Sequence, residues 1–128
     1  MTHKKEAEKL LRLAERDLKA FQVLISNSEE ALIPAAYFHG QQLIEKCVKS
    51  VLAFHNVVYP FTHDLFELIG ILMQNKISLS KELHNSTKMT PYAVRFRYDN
   101  IESDLIEPEE ATRIVNDVLS WAQGVIGS

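Results

Sequence analysis

The feature that most constrains the fold is the spacing of apolar residues near the N-terminus. Between positions 4 and 27 they recur at alternating steps of four and three, at Ala7, Leu11, Ala14, Leu18, Phe21 and Ile25. This spacing places them on one stripe of an α-helix. The chain holds only 4 Gly and 4 Pro, too few for the tight turns of a many-stranded sandwich or barrel. The sequence therefore predicts an all-α protein.

Three further stretches carry helical patterns. A second helix is expected with Pro34 in its first turns and an end near His55. Thr62-His63-Asp64 provides capping residues for a third helix, and Asp64 stands three residues before Glu67. Pro108, followed by two glutamates, begins a last helix that runs to about Ile126.

The stretch between the third and last helices has weaker patterns. A short helix is expected within 75–91, capped near Ser78 or Ser80. Residues 92–100 alternate like a strand, but a lone strand has no partner in so helical a chain. We therefore interpret 92–100 as an ordered loop or the end of a fourth helix.

Length and helix count together predict the architecture. A chain of 128 residues is about one domain long, so residues 1–128 are expected to form a single domain. Substantial helices with short connections predict a four-to-five-helix up-and-down antiparallel bundle. The broad apolar face of the second helix indicates a central position, with surplus apolar surface buried by dimerisation.

Charge and composition exclude several classes of protein. A net charge of −3 provides no global basic field for duplex DNA. The single cysteine, Cys47, excludes a disulfide-stapled scaffold and a zinc finger and favours a reducing compartment. The charged N-terminus has no apolar signal-peptide region, and no run of 18 apolar residues predicts a membrane span. A cytoplasmic protein is expected.

Motifs for common helical-bundle and nucleotide chemistry are absent. A carboxylate-bridged di-metal site needs Glu-x-x-His pairs, and no histidine here follows a glutamate at that spacing. The His-Glu-x-x-His zinc motif and glycine-rich phosphate loops are also missing. No metal or cofactor is expected, and Cys47 is interpreted as apolar packing rather than a nucleophile.

Polar and cationic side chains provide the candidate site. The predicted ligand-binding residues are Lys46, Lys49, His63, Arg95, Arg97 and Tyr98. Guanidinium groups bind phosphate oxygens at two points, lysines add point charge, and Tyr or His stacks on a base. The alternative is a solvated helix face in which Glu45 neutralises Lys49 and Arg97 pairs with Asp99 or Asp104.

Several motifs resemble those of the HEPN domain family, in order and approximate spacing. They are Arg16-Asp17-Leu18, the run from Gln41-Gln42 through Glu45-Lys46 and Lys49 to Leu52, Thr62-His63-Asp64-Leu65, and Arg97-Tyr98. The resemblance covers essentially the whole chain. It implies a helical bundle, usually a homodimer, often paired with a minimal nucleotidyltransferase in prokaryotic two-gene modules like toxin–antitoxin pairs. Many members are metal-independent ribonucleases that use an Arg followed after four to six residues by a His.

This sequence departs from the ribonuclease motif. The positions at that spacing after Arg95 and Arg97 hold Asn100, Ile101, Glu102, Ser103 and Asp104, and no histidine follows His84. Histidine shuttles protons near neutral pH, whereas these replacements do not without tuning. The chain is therefore similar to the motif-lacking branch, whose Arg-Tyr pair is often followed by proline where Asp99 stands here.

Three functions remain as hypotheses. The first is a non-catalytic dimer that binds nucleotide or RNA and partners a minimal nucleotidyltransferase. The second is a metal-independent ribonuclease with a displaced base such as His63. The third is a purely structural interaction module that docks through apolar helix faces.

Overall fold

The computed structural model describes residues 3–27, 29–89 and 106–127. These residues form four α-helices, which are α1 His3–Ile25, α2 Ile33–Phe54, α3 Leu65–Gln74 and α4 Pro108–Ile126. Two 3₁₀ helices, Glu30–Leu32 and Asn85–Met89, complete the regular structure, and the described ranges contain no strand. The all-α prediction is confirmed. The interpretation of 92–100 falls outside the described residues.

Helices α1 and α2 form an antiparallel pair along most of their length. The hydroxyl of Ser50, near the end of α2, donates to the carbonyl oxygen of Ala7, near the start of α1, at 2.9 Å. At the other end, Phe21 of α1 lies against Gly40 of α2. The apolar stripe of α1 predicted from its spacing is buried in this contact at Ala7, Leu11, Ala14 and Phe21.

Helix α2 is the centre of the fold, as its broad apolar face predicts. Of its 22 residues 14 are buried, and it contacts α1, α3 and α4. Gly40 permits this close packing, because a Cβ atom there would lie 2.6 Å from Met89 Cε and 3.1 Å from Val115 Cγ2. Polar side chains on α2 are consequently held in a crowded and well-defined setting.

The start of α3 is set by the predicted cap. Asp64 is the N-cap residue, and its Oδ1 accepts from the backbone N–H groups of Phe66 at 2.9 Å and Glu67 at 3.4 Å. This satisfies two donors that the first helical turn would otherwise leave unpaired. His63 therefore occupies a defined position immediately before the cap.

Residues 77–89, which follow α3, differ from the prediction of a short helix capped near Ser78 or Ser80. The hydroxyl of Ser80 donates to Asp117 Oδ2 on α4, and the same oxygen accepts from the backbone N–H of Glu82 at 2.9 Å. With Ser80 engaged by α4, the chain makes a turn at 81–84 and then the 3₁₀ helix.

In the described part of the chain, no helix has both the length and the apolar character that a bilayer span requires. The assignment of residues 1–128 to a single domain stays a prediction.

Candidate functional site

Two neighbouring polar groups lie along α2. The first, which we call the Asp17 group, consists of Asp17, His39 and Lys46. Asp17 Oδ2 accepts from Lys46 Nζ at 2.5 Å, and Asp17 Oδ1 lies 3.2 Å from His39 Nδ1. Since an ionised carboxylate only accepts, this contact requires the proton on His39 Nδ1. The group thus links α1 to two turns of α2.

The second group, the Glu45 group, consists of Glu45, Lys49 and His63. Glu45 Oε2 accepts from Lys49 Nζ at 2.9 Å and lies 2.8 Å from His63 Nδ1. The side chains of Glu45 and Lys49 are only 5% and 11% exposed, whereas that of His63 is 71% exposed. A buried ion pair therefore lies beneath an exposed imidazole ring.

The second carboxylate oxygen of this group has no partner in the part of the chain that the structure describes. Glu45 Oε1 is buried, and it accepts no hydrogen bond among the residues that the structure describes. The great majority of buried polar atoms in proteins are hydrogen-bonded, so an orphaned carboxylate oxygen requires an explanation. A donor supplied by a ligand is one explanation that the chemistry permits.

The burial of these ion pairs is itself informative. Taking two charges out of water costs about as much as their attraction returns, so well-packed apolar residues would often be as stable or more so. Burial of the Glu45–Lys49 pair is therefore weak evidence for a stabilising role, and the pair is a candidate for part of a binding site.

The charges of the two groups nearly cancel. Asp17 balances Lys46, and Glu45 balances Lys49, as the alternative sequence interpretation anticipated for the second pair. A net positive charge in this region then depends on protonated histidine or on cations from elsewhere in the chain. The described part of the site favours polar recognition over a strong attraction for phosphate.

The structure brings some of the predicted residues together. Lys49 and His63 share one carboxylate oxygen of Glu45, while Lys46 belongs to the Asp17 group. The other three predicted binding residues, Arg95, Arg97 and Tyr98, lie outside the described residues.

Asp17 and His39 were not predicted as site residues. A signal for Asp17 was present, because it stands between Ala14 and Phe21 at steps of three and four, on the apolar stripe of α1. A buried aspartate on such a stripe needs a partner on another element. Its partners, His39 and Lys46, are 22 and 29 positions away and could not be identified from spacing.

An exposed aromatic ring adjoins the Glu45 group. Phe61 is 95% exposed and packs edge-on against the His63 ring, with ring centroids 5.9 Å apart and an interplanar angle of 62°. Single exposed apolar side chains are common on monomers, whereas contiguous exposed apolar patches are unusual. Val58, three residues earlier, is 92% exposed.

The described ranges provide little evidence for a nucleophilic cysteine or a metal-binding site. Cys47 is fully buried, and burial first, with the charges of Glu15 and Asp17, raises the pKa of its thiol well above the usual range. It serves as apolar packing, as predicted. Within 3–27, 29–89 and 106–127, no three or more His, Cys, Asp or Glu side chains are placed to hold a metal ion.

Comparison with known families identifies one relationship. The family model of the HEPN domain matches residues 7–125, which include both polar groups on α2 and the predicted residues of the 92–100 segment. Neither the curated proteins nor the solved structures provide a match. The fold of the described residues is all-α, which agrees with this match. Because the matched range spans nearly all of the 128 residues, this chain belongs to the HEPN family.

Proposed function

We propose that this protein is a non-catalytic HEPN domain that binds a nucleotide or RNA. Family membership supports a nucleotide- or RNA-related function in general terms. The observation that carries the proposal is the buried Glu45 carboxylate, which holds Lys49 and His63 while its second oxygen stays unpartnered among the described residues. The proposed binding residues are Lys46, Lys49, His63, Arg95, Arg97 and Tyr98.

Each type of residue is proposed to contact a different part of the nucleotide. Lysines and arginines would contact phosphate, and His63 and Tyr98 would contact the base. Because the lysines are paired with Asp17 and Glu45, most of the attraction for phosphate is assigned to the arginines. Binding should therefore weaken as salt is raised, with a slope that falls when an arginine is removed.

Titration with labelled ATP and a short single-stranded RNA at near-physiological salt tests this proposal. Saturable binding is expected, with a large loss in Arg97→Ala and Lys49→Met and no loss in the control Lys81→Met, whose side chain is exposed on the 81–84 turn. The absence of saturable binding, or binding unchanged by Arg97→Ala, contradicts the proposal.

A second candidate is a metal-independent ribonuclease that uses His63. The observation in its favour is the Glu45–His63 pair, because a carboxylate on Nδ1 orients an imidazole so that Nε2 can accept a proton. Incubation with structured RNA in EDTA decides between the two candidates. Cleavage abolished by His63→Ala supports the ribonuclease, whereas trace activity that survives this substitution is a contaminant.

The proposed partners follow from the family resemblance. We propose a homodimer that pairs with a minimal nucleotidyltransferase in a toxin–antitoxin-like module. Light scattering would measure the dimer, and co-purification with an adjacent encoded nucleotidyltransferase would test the pair. A complex formed equally well by a variant lacking the binding-site charges favours a purely structural interaction module instead. Prokaryotic origin and a cytoplasmic location stay predictions.

A further inference from the structure

The geometry points to a preference of the Glu45 group for nucleobases that carry an exocyclic amino group, such as adenine and cytosine. In this arrangement the base lies against Phe61 and His63 and donates its amino hydrogen to Glu45 Oε1. The inference rests on the proposed nucleotide binding and adds to it the class of base that is bound.

The chemistry is set by Glu45 Oε1, which has no hydrogen-bond partner within 3–27, 29–89 and 106–127. Its neighbour, Oε2, already accepts from Lys49 and His63, so the carboxylate is held in place while Oε1 accepts nothing from the described residues. A buried carboxylate oxygen loses its hydration, and only a hydrogen-bond donor compensates for that loss. The missing group is therefore a donor, and an anion such as phosphate is disfavoured at this atom.

The exposed side chains next to Glu45 are aromatic. His63 is 71% exposed, whereas Lys49, which contacts the same oxygen of Glu45, is 11% exposed. Phe61 lies edge-on to this ring and is almost fully exposed. Exposed aromatic rings beside polar groups provide stacking surfaces for any unpaired base.

The combination of a stacking surface with one fixed acceptor creates base selectivity. Adenine and cytosine present an amino group where hypoxanthine and uracil present a carbonyl oxygen. A carboxylate accepts from the amino group but repels the carbonyl oxygen, and buried sites built for a hydrogen bond reject analogues that lack the donor. Stacking on Phe61 is open to all four bases, because each has a π-face.

Calorimetric titration of the full chain with AMP and IMP tests the selectivity, because these differ at the amino group in question. CMP and UMP provide the same comparison for pyrimidines. We expect AMP to bind at least about 10-fold more tightly than IMP. Glu45→Gln should bring this ratio close to one, since an amide both donates and accepts. Glu67→Gln, a change at an exposed glutamate in the first turn of α3, should leave it unchanged.

Phe61→Ala provides a variant that keeps the carboxylate intact. It should weaken AMP and IMP alike by about 5-fold or more while preserving their ratio. Circular dichroism and thermal unfolding establish which variants are folded. If Glu45→Gln does not fold, the ratios in the wild type and in Phe61→Ala still decide the matter.

Three outcomes would overturn the inference. Equal affinity for AMP and IMP, with both weakened by Arg97→Ala, removes base selectivity and leaves nucleotide binding standing. No binding of any of the four nucleotides removes both. A Phe61→Ala protein that changes its oligomeric state but not its AMP affinity identifies Phe61 as a protein contact.

Discussion

Asp17 on α1 and Lys46 on α2 form an ion pair at 2.5 Å between positions 29 residues apart. Their side chains are 12% and 28% exposed, so solvent screens the pair only in part. His39 contacts the other oxygen of the same carboxylate, which leaves Asp17 with partners on two turns of α2. The pair joins the two longest of the described helices.

We expect this pair to show measurable coupling. In a double-mutant cycle of Asp17→Asn and Lys46→Met, monitored by urea unfolding, the interaction free energy should exceed the roughly 0.2–1 kcal/mol of exposed pairs. The exposed pair Lys88–Glu110 is the matched control and should show less coupling. Equal coupling in the two cycles would show that partial burial adds nothing to the Asp17–Lys46 pair.

Three helical glycines should respond differently to a methyl group. A Cβ atom added at Gly70 in α3 or at Gly124 in α4 would meet no atom within 4 Å, so Gly→Ala at either should stabilise the protein by about 0.5–1 kcal/mol through helix propensity. At Gly40 the added atom would meet Met89 and Val115. The end of the Met89 side chain and Val115 would both have to move, so Gly40→Ala should gain less stability than Gly70→Ala. Urea unfolding of the three variants would test this order, and a Gly40→Ala variant as stable as Gly70→Ala would contradict it.

Local signals explain which elements could be predicted. The periodic spacing that defines α1 and the Asp64 cap of α3 act within a few residues, so both were evident in the sequence. The 3₁₀ helix at 85–89 was not, because Ser80 is engaged by Asp117, 37 positions away. A side chain that binds a distant partner is not free to cap a nearby helix. The spacing of residues in the sequence does not show which of these two contacts it makes.

The contacts of the candidate site were likewise predictable only in part. The Glu45–Lys49 pair has helical i, i+4 spacing and was anticipated from the sequence as a neutralising contact. That His63 would join the same oxygen, 18 positions from Glu45, depends on how the 55–64 connection returns to α2. The lysines and His63 were selected for their charge and chemistry, but the contacts of Asp17 with Lys46 and of Glu45 with His63 were visible only in three dimensions.

The thiol of Cys47 should be inert in the native protein. Burial raises its pKa far above the usual range, and the thiolate is the reactive form. Ellman's reagent at pH 8 should therefore label the folded protein only as fast as it unfolds, and label it at once in denaturant. Fast labelling without denaturant would show that the core around α2 opens locally.

Glu82 should contribute to stability on the acid side of neutrality. The hydrogen bond from Asn85 Nδ2 at 2.9 Å, and after it the contact with Arg113 Nε at 3.2 Å, hold the pKa of Glu82 below its ordinary value of 4.5, while burial opposes the shift. A lowered pKa in the folded state means that the contribution is present above pH 4.5. It is lost as the pH falls through the lowered value.

Asn85→Ala should raise the pKa of Glu82 toward 4.5, because it removes the largest cause of the shift. Carboxyl carbon NMR titration would measure the pKa, and thermal unfolding between pH 2 and pH 6 would measure the stability, with the variant losing less stability than the wild type as the pH falls. Arg113→Met should act in the same direction but more weakly. Lys88→Met, which removes an exposed cation paired with Glu110, should leave the pKa of Glu82 unchanged. An unchanged pKa in Asn85→Ala would show that the hydrogen bond from Asn85 does not cause the shift.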